Sequence, residues 1–322
     1  MRQARSTPTV LYGALIAPKA RQWLQDPRGG RVHSLYQNAI NLIDKRGELF
    51  SLVMPPLGPG PFALLLRPVP INLQSADGFA SLIEVGAPIR VGPAVLELGA
   101  IQVRLTDLEI WNPRPNWDGL RASLRVATVE QLAQVLRRYA PPGSLAPLAE
   151  RPAGALWSES ASGGDLSSAL LHRIASLAQE LLSALIRSEP AQIEAAASKL
   201  AGLGSGVTPA GDDFMLGAIH ALWASADGNR VADLVGSVLE GVGSRTNAVS
   251  LAWLRAAARG EAANEWHGLF EAVLMGEPIE AVARLLIRRG HTSGADAVAG
   301  FVAAFRALTA LAPAGQRIGL PS

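Results

Sequence analysis

A change of period near residue 165 constrains this chain more than any other feature. From about Arg31 to Ile110 the apolar residues fall in short clusters split by Gly, Pro and Asp, the rhythm of strands and turns. From Asp165 onward they recur at spacings of three and four. Leu166, Leu170, Ile174, Leu177, Leu181 and Leu185 thus make one stripe that must pack on a partner. The predicted fold class is α+β: a β-rich sandwich or barrel over residues 1–115, a connecting region over 116–164, and an all-helical bundle over 165–322.

Strands are expected at Leu35 to Ile43 and Leu49 to Met54, joined as a hairpin through Asp44-Lys45-Arg46-Gly47. More are expected at Phe62 to Leu66, Ile89 to Val91, Val95 to Leu98, Ile101 to Leu105 and Leu108 to Trp111. Pro55-Pro56 and Pro59 to Pro61 mark loop, because proline donates nothing to a ladder. Trp111 to Trp117 reads as the exit from this domain. Thr128-Val129-Glu130-Gln131 has capping-box spacing and opens a helix to Tyr139. Residues 140–165, rich in Pro, Gly, Ala and Ser, read as a linker whose end, Ser158 to Gly164, is expected to be mobile. Helices follow from Pro190 to Gly202, Arg230 to Val242, Ala248 to Arg259, Ala262 to Met275, Pro278 to Arg289 and Ser293 to Leu311.

The 322 residues, 49% of them hydrophobic, are enough for two cores. A net charge of +2 and scattered arginines give no nucleic-acid footprint, and Arg137-Arg138 and Arg288-Arg289 are explained by helix ends and solvent. The absence of cysteine excludes disulfides, thiolate metal sites and a cysteine nucleophile, and makes the cytoplasm the expected compartment. The apolar patch Val10 to Ala17 is short and lacks a clear cleavage site. No uninterrupted apolar run reaches the roughly 18 residues of a membrane span, so no membrane partner is expected.

Between two helical segments stands Gly202-Leu203-Gly204-Ser205-Gly206-Val207-Thr208-Pro209-Ala210-Gly211-Asp212-Asp213-Phe214. Glycine loses the most backbone entropy on folding, and a plain interhelical turn needs far fewer glycines. Thr208 is expected as the N-cap and Pro209 as the first helical residue. A glycine-rich loop feeding a helix offers backbone N–H groups to a carboxylate or phosphate, and Asp212 and Asp213 add acceptors. Such a set suits an anion bearing an amide, or a phosphate carried with a divalent cation; the cofactor itself is not specified. The Walker loop, the dinucleotide fingerprint and the nucleophile elbow all fail here. No Gly-Lys-Ser/Thr occurs, Val207 and Pro209 stand where a third glycine belongs, and Leu203 precedes Ser205 where the elbow needs glycine.

The pattern Gly-x-Asp-x-x-x-Gly at Gly211, Asp213 and Gly217 recurs at Gly294, Asp296 and Gly300, after His291-Thr292-Ser293. Asp213 and Asp296 are therefore the candidates for a paired catalytic role, although Ser293 and Asp296 also have capping-box spacing. A third helix entry, Gly241-Val242-Gly243-Ser244-Arg245-Thr246-Asn247, carries a guanidinium suited to a carboxylate or phosphate. Taken alone it reads more readily as a C-capping glycine, a surface arginine and an Asn or Thr cap. Convergence of the three entries is expected to gather Gly202, Gly204, Gly206, Thr208, Gly211, Asp212, Arg245, Thr246, Asn247, His291, Thr292 and Ser293 around one ligand. The histidines show no metal spacing, and His220 reads as a core residue.

Gly202 to Gly217, Arg245 to Asn247, Gly290 to Asp296, and Tyr36 to Leu42 with Pro59-Gly60-Pro61-Phe62 together resemble a bacterial family of undefined function. That family includes the AllH subunit of the oxamate carbamoyltransferase of anaerobic allantoin degradation. The resemblance implies a subunit of a carbamoyl-transferring complex, with FdrA-like and other carbamoyltransferase subunits as partners and a small anionic metabolite as ligand. It implies exchange of carbamoyl phosphate and oxamate for oxalurate and phosphate. Two readings of the residues stay open beside it: a small-molecule or nucleotide-binding regulatory module, and a non-catalytic structural subunit.

Overall fold

The structure, a computed structural model, describes residues 8–68, 79–150 and 166–310. The stretch Ser158 to Gly164, expected to be mobile, lies outside the described residues. The chain divides into two compact units, Met1–Pro113 and Arg114–Ser322.

In the first unit β1 (Thr9–Ile16) and α1 (Pro18–Gln25) precede β2 (Arg31–Tyr36), β3 (Ala39–Ile43), β4 (Leu49–Val53) and β5 (Ala63–Leu66). The strands β6 (Ile89–Val91), β7 (Val95–Leu98), β8 (Ile101–Arg104) and β9 (Glu109–Ile110) complete it. They form one sheet in the order β2-β3-β4-β5-β1-β8-β7-β6, with β9 added beside β1. The two ends of that order approach each other. Val32 N–H donates to Ala87 O at 2.9 Å and Ile89 N–H to Gly30 O at 3.1 Å, so the sheet nearly closes and the unit is barrel-like rather than a sandwich.

Its core comes from alternate positions, among them Leu11, Ile40, Leu42, Phe50, Leu52, Leu64, Leu96, Leu98 and Val103, each worth roughly 1.5–3 kcal/mol when removed from water. Trp23 of α1 stacks on Phe50 with ring centroids 5.0 Å apart and covers this core. Two expectations change. Leu35 to Ile43 is two strands turning at Gln37-Asn38, and the patch from Val10 is β1, a strand inside the sheet with neighbours on both sides.

The second unit holds α2 (Trp117–Ser123), α3 (Val126–Tyr139), a 3-10 turn (Ala146–Glu150), α4 (Leu166–Arg187), α5 (Pro190–Leu200) and α6 (Ala210–Ser225). After these come α7 (Gly228–Val242), α8 (Ala248–Ala258), α9 (Asn264–Met275), α10 (Glu280–Ile287) and α11 (Ser293–Ala310). The Thr128 capping box is not used: α3 starts two residues earlier and its N-cap, Arg125, makes no side-chain cap. In α4, Ile174, Leu177, Leu181 and Leu185 are buried, whereas Leu170 is exposed. The segment Ala169–Arg187 of α4 is long and apolar enough to cross a membrane by length and composition, but that side packs on helical neighbours and the segment carries Arg173 and Glu180.

The centre of the unit is the pair α6 and α11, buried on nearly every side. Such burial all round is why α6 reads as almost uniformly apolar and small between Phe214 and Ala224. The pair crosses at glycines. A Cβ on Gly217 would overlap the Ala297 carbonyl oxygen, and one on Gly300 would overlap the Phe214 carbonyl oxygen. The two Gly-x-Asp-x-x-x-Gly segments are thus related by a local two-fold arrangement, with Gly217 meeting Ala297 as Gly300 meets Phe214. This crossing brings the N-termini of both helices, with their aspartates, to one end of the unit.

Candidate functional site

The loop into α6 turns on Gly202, Gly204 and Gly206, whose φ angles of +74°, +123° and +106° lie in the region that favours glycine. Pro209, not Thr208, is the N-cap, and no side chain caps the helix. The first-turn donors are taken up internally. Gly211 N–H donates to Leu203 O at 2.9 Å, and Asp212 and Asp213 N–H to Pro209 O at 2.9 and 3.1 Å. At α8 the side chain of Asn247 accepts from Val249 and Ser250 N–H at 3.0 Å each. At α11, Gly294 N–H donates to Arg289 O at 3.0 Å and Asp296 N–H to Thr292 O at 2.9 Å. These entries therefore do not present the row of free N–H groups that the sequence led us to expect.

What the entries do is hold one another. Asp212, 2% exposed, accepts from Gly202 N–H at 3.0 Å and from the Thr246 hydroxyl, which ties the α6 loop to the entry of α8. Asn247 Nδ2 donates to Val207 O at 2.9 Å and closes the same seam. Gly202 lies against the Arg245 carbonyl, where a Cβ has no room. On the other side, Thr208 Oγ1 bonds Asp213 Oδ2 at 3.0 Å and Ser293 Oγ at 2.7 Å, linking α6 to α11.

Three residues stand apart from this set. Arg245, in the turn between α7 and α8, is exposed, and its guanidinium reaches Gly241 O at 3.4 Å, at the end of α7. His291 is exposed in the turn before α11. Asp296 is fully buried, its Oδ1 accepting from Leu145 N–H at 2.6 Å, so it anchors the backbone leading into the 3-10 turn.

Asp213, 8% exposed, borders a cleft of about 80 Å³ together with Thr208 and Ser293. The other walls are residues the sequence reading set aside: Leu216 and His220 of α6, Trp253 of α8, Trp266 of α9, Glu261 before α9 and Arg289 after α10. Asp213, Leu216 and His220 stand at i, i+3 and i+7, so they share one face of α6, the pattern by which the wall was findable. Arg289, assigned from sequence to a helix end in solvent, is half-buried. Its guanidinium lies over the Trp253 ring at 4.7 Å and pairs with Glu265 at 3.0 Å. It supplies the positive charge of the cleft.

Burial sets the electrostatics. It raises the Asp213 carboxyl well above the usual range; the Ser293 and Thr208 hydroxyls oppose the rise, and the charges of Asp296 and Asp212 add to it. Burial also raises Asp212, against hydrogen bonds from Thr246 and Gly202, and pushes Asp296 up to about 6 against the Leu145 N–H. His220 is moved the other way, to about 3, by burial and by His267 nearby. The site thus favours a proton on Asp213 and none on His220. Among the described residues no three His, Asp or Glu side chains are grouped to hold a metal ion.

Comparison with known families gives two matches. Residues 11–110 match the AllH family N-terminal domain, and residues 200–305 match the model described as oxamate carbamoyltransferase subunit AllH. The second match contains the α6 loop, the entry of α8 and the start of α11. No curated protein and no solved structure gives a match. With the barrel-like unit and the α6–α11 pair each covered by a model of one family, the chain belongs to the AllH family of oxamate carbamoyltransferase subunits.

Proposed function

We propose that this chain is the ligand-holding subunit of an oxamate carbamoyltransferase, and that the cleft beside Asp213 takes a small carboxylate bearing an amide or carbamoyl group. The observation that carries this reading is the hydroxyl chain Ser293–Thr208–Asp213, assembled from the starts of two helices on the wall of that cleft. With Asp213 ionised, Thr208 donates to it and accepts from Ser293. With Asp213 protonated the directions reverse, and Ser293 donates into the cleft. The same three groups then meet an amide as acceptor or as donor.

Carbamoyl transfer needs that versatility. When the oxamate nitrogen bonds to the carbamoyl carbon of carbamoyl phosphate, the bond from that carbon to the phosphate oxygen breaks and the nitrogen loses a proton. Burial raises the proton affinity of Asp213, so in its ionised form it is the group in the cleft suited to take that proton. Arg289 supplies the charge for the ligand carboxylate, exchanging its contact with Glu265 for the ligand while remaining stacked on Trp253. FdrA-like and other subunits contribute the remaining chemistry. A nucleotide at this cleft is less well served, since about 80 Å³ is far below the few hundred Å³ usual for such ligands. A purely structural subunit is the second reading, favoured by Asp212 and Asp296 each giving one oxygen, Oδ1, to a backbone N–H.

A thermal-shift series on the full chain with oxamate, oxalurate and carbamoyl phosphate tests this. A bound ligand at about 100 times its dissociation constant adds roughly 2.7 kcal/mol of stability. No stabilisation by any of the three, with carbamoyl transfer intact in partner subunits lacking this chain, contradicts the reading.

A further inference from the structure

We propose that His220 is the specificity-determining residue at the inner end of this cleft, selecting a ligand with an uncharged primary amide over an isosteric carboxylate without one. The inference rests on the cleft reading above and adds a residue and a chemical class to it.

The His220 ring borders the cleft, and the residue is only 1% exposed. Its Nδ1 has no hydrogen-bond partner among the described residues and no surface open to water, so a ligand in the cleft meets it only when the ring turns toward the cleft. A buried polar nitrogen left in this way costs about 1–3 kcal/mol. A phenylalanine would fill the same space without that cost, because the neighbours are aromatic: Trp266 at 5.0 Å, Trp117 at 5.8 Å and Phe270 at 6.5 Å between ring centroids. Packing therefore accounts for the ring and leaves the nitrogen unexplained.

His220 stands two helical turns beyond Asp213 on one face of α6, a separation of about 10 Å along the axis. The cleft between them has room for roughly three waters by volume, or for a ligand of a few non-hydrogen atoms. Its contents are chemically asymmetric. Arg289 is the cation, Asp213 with its two hydroxyls is the switchable donor and acceptor, and His220 is held neutral by burial. A neutral imidazole offers a single donor or acceptor without charge, which pairs with an amide and gives nothing extra to an anion. A site built to bond an amide rejects an analogue lacking it, because its own polar group is then left unpaired.

The test compares oxamate with pyruvate, a monoanion in which a methyl group replaces the amide nitrogen. Titration calorimetry on the full chain should show the wild type preferring oxamate by at least about tenfold. His220→Phe should keep or raise the denaturation midpoint, bind pyruvate as before, and lose most of that preference. His220→Asn, which can place an amide group near the Nδ1 position, should restore part of it. The ¹⁵N resonance of Nδ1 should also move when oxamate is added to the wild type and stay in place with pyruvate, a response that a packing role does not produce. Equal preference for oxamate in wild type and His220→Phe, or an Nδ1 signal indifferent to oxamate, overturns the role of His220 and leaves the cleft reading standing. Binding of neither ligand to the wild type removes both.

Discussion

Gly217 of α6 and Gly300 of α11 occupy equivalent places at one helix crossing, each pressed against the backbone of the other's helix. The repeated Gly-x-Asp-x-x-x-Gly pattern is in this respect a packing device. Its final glycine sets how closely the two helices approach, and that approach brings Thr208 to Ser293. Gly217→Ala or Gly300→Ala should each destabilise the chain by about 3 kcal/mol or more, because the added methyl meets a carbonyl oxygen and the backbone must yield. Gly236→Ala is the control, since a Cβ there meets nothing within 4 Å. In the interior of α7 it should add roughly 0.5–1 kcal/mol. Chemical denaturation of the three variants checks both signs.

Asn247 links two seams at once, capping α8 and bonding Val207 O. Asn247→Ala should cost about 1–2 kcal/mol from the cap alone. Asn247→Asp keeps the cap but loses the donor to Val207, so it should retain much of the stability while hydrogen exchange quickens in the loop of residues 203–208. Equal exchange in wild type and Asn247→Asp would contradict the link to the α6 loop.

The buried titratable groups give opposing pH dependences. The Asp296 carboxyl, raised from 3.8 to about 6, keeps a proton in the native state that the unfolded chain has already released. Its contribution to stability is therefore complete below about pH 4 and is lost as pH rises toward about 6, a change on the order of 2–3 kcal/mol. His220, lowered from 6.5 to about 3, acts the other way. The unfolded chain takes up that proton first, so stability falls as pH drops below about 6.5. In the overlap the two oppose each other, Asp212 and Asp213, also raised by burial, act with Asp296, and the wild-type curve alone is a poor reporter of any one group. Relative to wild type, Asp296→Asn should gain stability from pH 4 to pH 6.5, and His220→Phe should gain as pH falls over the same range.

The sequence was most legible where local rules operate alone. The bounds of β6 and β7 match short apolar clusters set between Gly86, Gly92 and Gly99, and α5 begins at Pro190, whose fixed φ suits a first helical position. The strand β1 was harder to recognise because Gly13 interrupts its apolar run, at the place where its register with β5 shifts. Thr128 offers a capping box that tertiary packing overrides, since Val129, Leu132 and Leu136 must face the helical core and α3 extends to suit them. At the site, glycine clusters and paired aspartates point to the helix entries. The opposite walls are a tertiary matter. Trp253, Trp266 and Arg289 come from α8, α9 and the end of α10, and no local pattern ties them to Asp213. Arg245, singled out as the guanidinium of the site, is drawn to the carbonyl end of the preceding helix α7, while Arg289 takes the place beside the cleft.

The central claim is that Asp213, alone among the three buried aspartates described in the helical unit, works toward the cleft, whereas Asp212 and Asp296 hold backbone. Oxamate titrated calorimetrically into the wild type, Asp213→Asn, Asp212→Asn and Asp296→Asn, each at pH 7 with its denaturation midpoint recorded, separates these roles. Asp213→Asn should weaken binding by about tenfold or more with little change in the midpoint, while Asp212→Asn and Asp296→Asn should shift the midpoint and leave affinity within about threefold. Unchanged oxamate affinity in Asp213→Asn, or loss of affinity only in the variants whose fold is disturbed, would contradict the account.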